Sequence, residues 1–192
     1  PRSTLPLTLF PSTTLFRSRQ LEPAPLMLPP DNATAGISVK QQLMPLIERA
    51  KAMATLQGRP WHGPEIWPAW ASEPSRGAGT AEIVANLLEN AFRYSPPGTA
   101  IGLKPLPDGL CIWDGGPAID INEREAIFQE GVRGRRGREL AGTGLGLALA
   151  RQLAERDGGR LELCVEPSRL AAELPDQGNA FQLKWPEPEA PV

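Results

Sequence analysis

The chain carries one histidine, two cysteines and one tyrosine in 192 residues. The lone His62 cannot form a metal cluster by itself. Cys111 and Cys164 each sit in a short apolar run that reads as a strand. Two buried thiols suit a reducing cytosol better than a disulfide scaffold or a zinc site. No run of about 18 or more apolar residues occurs, so no membrane span is expected. The stretch from Leu5 to Phe16 is interrupted by Pro6 and Pro11. It lacks the long apolar region and small-residue cleavage site of a secretory signal. A dominant charge is also missing: the formal net charge is -2. Nothing in that balance asks for nucleic acid or an anionic membrane surface as a partner.

Proline, by contrast, is abundant, with 22 residues clustered towards the two ends. The packed core is therefore expected to be shorter than the chain. Residues 1–36 read as a loose leader or linker, 37–186 as one domain and 187–192 as a loose tail. Helical spacing runs from Ile37 through Leu43, Leu46 and Ile47 to Met53, and stops at Gly58 and Pro60. A second helix is predicted over 81–94, ended by Pro96, Pro97 and Gly98. Strands are predicted over 99–103 and 110–113, joined by a Pro-Asp-Gly turn at 107–109. A short helix over 121–128, a Gly/Arg-rich loop over 130–142 and a third helix over 144–156, capped by Gly158, come next. Strands over 160–165 and 180–185 complete an α+β pattern, a sheet with helices on one face.

Placed at about 100° per residue, the 81–94 helix is amphipathic. Ile83, Val84, Leu87, Leu88, Ala91 and Phe92 share one face and must pack on the sheet. Glu82, Asn86, Glu89, Asn90 and Arg93 share the other. Asparagine is a mediocre helix former, because its amide competes for backbone hydrogen bonds. Two of them four apart suggest a use: Asn90 could offer an oxygen to a hard cation such as Mg²⁺, and Arg93 could meet a phosphate. From these residues alone, a solvated face remains equally open.

Four segments then decide the reading. "NLLENAFRYSPPGT" at 86–99 resembles the N-box of the histidine kinase ATPase family, a branch of the gyrase, Hsp90 and MutL-type ATPases. "DGGPAI" at 114–119 resembles the first glycine box, "IFQEGVRG" at 127–134 the F-box, and "GTGLGLALARQLAERDGG" at 142–159 the second glycine box. The resemblance implies a Bergerat-type ATP-binding fold: a two-layer α/β sandwich whose mixed, mostly antiparallel sheet carries its helices on one face. It implies ATP and Mg²⁺ as ligands. Asn90 would hold the metal with Asn86 supporting it, Arg93 would contact phosphate, and Tyr94 would line the pocket. Asp114 would accept a hydrogen bond from the adenine amino group, since an ionised carboxylate only accepts. Gly116, Ala118 and Ile119 would complete the base site, with Gly116 letting the backbone approach. Residues 130–142 would form a mobile lid pinned by Phe128, with Arg133 on phosphate. Gly142, Thr143, Gly144, Leu145, Gly146 and Leu147 would lead phosphate to the unpaired N–H groups that open the third helix. Two departures stand out: Ala118 replaces the usual second glycine of the first glycine box, and Gly131 an aromatic of the F-box.

Competing readings are weaker. In "GTGLGL" a dinucleotide-binding pattern would need glycine where Leu147 stands, and no strand runs into it. No phosphate loop of the G-x-x-x-x-G-K-[ST] type and no protein-kinase catalytic loop is present. Hydrolysing relatives place a glutamate four residues before the metal-binding asparagine. Here that residue is Asn86, and an amide is no general base. The expected chemistry is phosphoryl transfer to a protein group. His62, beside Gly63 and Pro64, does not sit in a helical acceptor motif. The implied partners are therefore a separate dimerisation domain carrying the phosphoacceptor histidine and a response regulator, in the cytoplasm. A nucleotide-sensing pseudokinase or an RNA-binding Arg/Gly loop are the non-enzymatic alternatives.

Overall fold

A computed structural model describes residues 36–73, 79–132, 134 and 143–185. The leader expected before residue 36, the tail after 186 and most of the expected lid, with Arg133 and Gly142, lie outside the described residues. Helix α1 (Val39–Leu56) opens with a reciprocal cap between Ser38 and Gln41. Its apolar stripe, Val39, Leu43, Leu46, Ile47, Ala50 and Ala54, is buried. Gly58, at φ 62°, ends it, because a left-handed residue cannot continue a right-handed helix. Strand β1 (Trp61–His62) precedes α2 (Thr80–Tyr94), the hairpin β2 (Ile101–Leu106) and β3 (Gly109–Asp114), α3 (Gly146–Arg156), β4 (Arg160–Cys164) and β5 (Asn179–Lys184).

The strands form one sheet in the order β1-β2-β3-β5-β4. Only the β1–β2 pair is parallel; β2–β3, β3–β5 and β4–β5 are antiparallel. Side chains alternate across a strand. One face therefore presents Leu103, Ile112, Phe181 and Leu161 to the three helices, all in the main core. The other face carries Leu106, Cys111, Trp113 and Ala180, covered by Leu174 with Leu170 and Ala171 alongside. This is the expected α+β two-layer sandwich. Among the described residues no helix is long and apolar enough to cross a membrane.

Several boundaries moved for identifiable reasons. Strand β2 starts at Ile101 instead of residue 99, because the Thr99 hydroxyl and N–H both turn back to the Pro96 carbonyl. It then runs through Pro105 to Leu106. The parallel partner β1 pairs only with Ile101 and Gly102, so Pro105 withholds no ladder donor on that side. The helix expected over 121–128 is reduced to one 3-10 turn, Ala126–Phe128. Upstream, Asp120 takes the Asn122 N–H on its own carboxylate, a local turn that competes with a helix. Helix α3 starts at Gly146, since Gly144 has φ 73°. Both cysteines are free, but only Cys111 is fully buried; Cys164 is half-buried.

Leu87 is fully buried in the centre of α2. Leu87→Ala is expected to cost about 2–5 kcal/mol, the range for a buried leucine whose cavity relaxes only partly. Urea unfolding reads it as a lower midpoint at unchanged slope. The Cys111 thiol is pushed up to about 12, chiefly by burial. Native alkylation at pH 8 should therefore modify Cys164 well before Cys111, and unfolding should equalise the two.

Candidate functional site

The β-sheet register builds one end of the site. Asp114 pairs with Ile101 on one side and Asn179 on the other. It shares a face with Ile112, so its carboxyl points into the helix layer. It is only 6% exposed. The Gly116 N–H donates to its Oδ1 at 2.8 Å, and the Asn179 amide donates to the same atom at 3.2 Å. Asn179 also donates to the Pro117 carbonyl and accepts from the Ile119 N–H at 2.8 Å. One buried amide thus fixes both the carboxylate and the loop that follows it. A Cβ on Gly116 would lie 2.6 Å from Asp114 Oδ1 and 3.3 Å from the Pro96 ring. Only glycine lets this loop fold back so closely.

Burial raises the Asp114 carboxyl above its ordinary range. The Gly116 N–H, the Asn179 amide, the Ser95 hydroxyl and the Arg59 charge pull it back, in that order. Burial wins because charged oxygens lose more hydration than these groups replace.

The other end is where α2 meets the start of α3. Asn86 Nδ2 donates to the Glu82 carbonyl at 3.0 Å. That orients its Oδ1 towards Gly146, where an added Cβ would sit 3.1 Å away. The same Cβ would lie 3.9 Å from Asn90 Nδ2, a buried atom without a hydrogen-bond partner. Buried polar atoms are rarely left so. The first N–H groups of α3 have no partner within the helix, and the helix dipole adds positive potential there. Amide oxygens, an unpaired amide and a helix N-terminus together suit phosphate accompanied by a hard cation. Among the described residues there is no cluster of three or more acidic, histidine or cysteine ligands. A metal with this wall would lean on phosphate oxygens, as Mg²⁺ does.

The two ends belong to one cavity of about 580 Å³, ample for a nucleotide-sized ligand. Asn86, Asn90, Arg93, Tyr94, Asp114, Gly116, Ala118, Ile119, Thr143, Gly144, Leu145, Gly146 and Leu147 all line it. Phe128 does not. It is buried edge-on against Phe181, with the Arg151 guanidinium 3.6 Å above its ring, and its neighbour Ile127 faces the cavity instead. Arg93 lines the cavity but is paired with Glu89, four residues back on the same helix. Such half-exposed pairs are weak, so a phosphate could displace Glu89. Glu89, from the same polar face of α2, is also on the wall.

Asn179 is a residue of the site that sequence reasoning missed. Nothing local marks it; its place comes from the β3–β5 register, 65 residues from Asp114. Gly131 also gains a reason. It adopts φ 71°, and its N–H donates to the Gly144 carbonyl at 3.2 Å. An aromatic side chain would be strained in that conformation.

A fold of this kind, with a buried carboxylate and the start of a helix on one cavity, is that of an ATPase domain. The histidine kinase-, DNA gyrase B-, and HSP90-like ATPase family matches residues 75–189, and the chain belongs to that family. Within it, the likeness is to the ATP-binding catalytic domain of histidine kinases. The chain is 32% identical over 158 residues to sensor histidine kinase Hik2 of Thermosynechococcus vestitus, covering 78% of this chain and 38% of that protein. It is 38% identical over 114 residues to the signal transduction histidine-protein kinase/phosphatase MprB of Mycobacterium sp. (strain KMS), covering 57% and 21%. The chain thus spans well under half the length of these relatives. A solved mycobacterial sensor histidine kinase MprB superposes with a TM-score of 0.55 at 26% identity, over 75% of this chain and 95% of that one. Full-length ShkA, solved in complex with AMPPNP, shares the fold at 20% identity with a TM-score of 0.57, over 88% of this chain and 33% of that one.

The raised Asp114 carboxyl has a signed consequence. Its folded form binds the proton more tightly than its unfolded form, whose ordinary value is 3.8. The contribution of this group to stability therefore falls as pH rises from below 3.8 through the raised value, then levels off. Asp114→Asn removes that titration. The unfolding free energy of the wild type minus that of the variant should decline over this window. A rise instead would mean that the hydrogen bonds outweigh burial.

Proposed function

We propose that this domain binds ATP with Mg²⁺ and donates the γ-phosphoryl group to a histidine on a separate dimerisation domain, from which a response regulator receives it. The observation that supports this most is the shared cavity: an acceptor-only corner at Asp114 and an anion-accepting wall at Asn86, Asn90 and Gly146. In this reading the adenine amino group donates to Asp114, and Asn179 holds that carboxylate in place. Tyr94 and Ile119 flank the base. The phosphates run to the first turn of α3, with Thr143 and Arg93 as further donors. Asn90 would hold Mg²⁺ through its amide oxygen, and the ion would neutralise charge on the phosphates. Positioning and charge stabilisation are what phosphoryl transfer asks of a protein. The domain would work in the cytoplasm, where ATP is available.

In this reading the one histidine of this sequence is a poor phosphoacceptor. His62 is its sole histidine. That ring lies tilted against Trp113 at a centroid distance of 5.3 Å, and Trp113 belongs to the sheet face away from the helices. Hydrolysis is not favoured either. Asn86 occupies the position of the water-activating glutamate, and its amide nitrogen is committed to the Glu82 carbonyl.

Calorimetric titration with ADP and ATP, with and without Mg²⁺, tests the binding step. Asp114→Ala should weaken both nucleotides by about tenfold or more, the value of a lost buried hydrogen bond to charge. Asn90→Ala should remove the Mg²⁺-dependent part of ATP affinity and leave ADP binding without metal nearly intact. Radiolabelled ATP should then label a supplied dimerisation domain, and not this chain alone. Failure of the folded protein to bind adenine nucleotide, or steady hydrolysis with no acceptor present, would refute the assignment.

A further inference from the structure

Behind the base corner, outside the cavity, lies a cation that the sequence motifs do not include. Arg59 sits between α1 and β1. Its backbone N–H donates to the Ala54 carbonyl at 2.8 Å and so closes α1. Its side chain closes α2. Nη2 donates to the Ser95 carbonyl at 2.9 Å and the Phe92 carbonyl at 3.4 Å; Nη1 donates to the Pro96 carbonyl at 3.0 Å and the Thr99 hydroxyl at 3.4 Å. The last carbonyls of a helix have no partner within it and carry negative potential. A planar fork with several donors can gather them where a single ammonium cannot.

What Arg59 holds is what the base corner rests on. Ser95 and Pro96 back directly onto Gly116, whose added Cβ would meet the Pro96 ring at 3.3 Å and the Ser95 Cα at 3.6 Å. The Gly116 N–H is in turn bonded to Asp114. We propose that Arg59 is a positioning residue for adenine recognition: its guanidinium clamps the C-terminal turn of α2 against Gly116 and thereby sets the Asp114 carboxylate. The proposal rests on the reading of Asp114 as the adenine acceptor. Its charge acts in the same direction, favouring the ionised carboxylate against burial. The other groups near Asp114 are the Ser95 hydroxyl just after α2, which donates to the Ala91 carbonyl, the Asn179 amide from β5 and the Gly116 N–H. Asp120, Glu123, Glu89 and Arg93 are the charged residues elsewhere on the cavity wall.

The test uses Arg59→Met, Arg59→Lys and Asp114→Ala in the full chain. ADP affinity is measured by calorimetry, and the Asp114 carboxyl is titrated by carbon NMR. Arg59→Met should bind ADP about tenfold more weakly, and its Asp114 midpoint should move to higher pH. A purely structural role would lower stability and leave that midpoint in place. Arg59→Lys keeps the charge without the fork, so its midpoint should stay near wild type while ADP affinity falls. This variant also serves if Arg59→Met does not fold, and full ADP affinity in it would overturn the clamp. If Asp114→Ala lowers ADP affinity about tenfold or more while a folded Arg59→Met keeps both its affinity, within about twofold, and its midpoint, the Arg59 proposal alone is refuted. If ADP binding is unchanged in Asp114→Ala, the base reading fails and this proposal fails with it.

Discussion

Helix α2 must satisfy two neighbours at once, and the rest of the molecule is arranged around that requirement. One side, with Ile83, Val84, Leu87, Leu88, Ala91 and Phe92, is buried in the core. Burying such side chains is worth about 1.5–3 kcal/mol each, enough to fix the rotation of the helix about its axis. Once that rotation is fixed, Asn86, Asn90 and Arg93 have no choice of direction: they face the cavity. The hydrophobic face thus aims the polar one. Asp157 secures the helix at its start by accepting the Gly79 N–H, and Arg59 secures its end.

The base corner follows a different physical rule. A carboxylate at 6% exposure is costly unless its oxygens are hydrogen-bonded. Asp114 accepts from an amide and a backbone N–H, yet burial still raises its carboxyl. That deficit suits a site awaiting one more donor, which an exocyclic amine can provide. The unpaired Asn90 amide at the opposite end shows the same deficit. Both groups lie on the wall of one cavity.

The segment between the F-box and α3 is tied at its borders. Gly131 and Gly144 share a backbone hydrogen bond. Gln152 on α3 bonds Glu130 at 2.9 Å, and Arg151 reaches Glu125 at 3.1 Å while covering the Phe128 ring. Phe128 accordingly anchors the segment through the core and leaves the cavity wall to Ile127. The loop's two ends are joined through left-handed glycines, which an aromatic at position 131 would not permit without strain.

Local pattern carried the helices, the hairpin, the α+β class and the order of the four motifs. Periodicity and glycine placement are properties of neighbouring residues, and they survive any tertiary arrangement. The amphipathic split of α2, the glycines opening α3 and the acid closing β3 were therefore readable along the chain. Asn179 and Arg59 were not. The first is set by strand register, and the second by packing of the α1–β1 connection beneath a helix end 33 residues away. Contacts of that kind have no sequence period, so only the folded chain decides them.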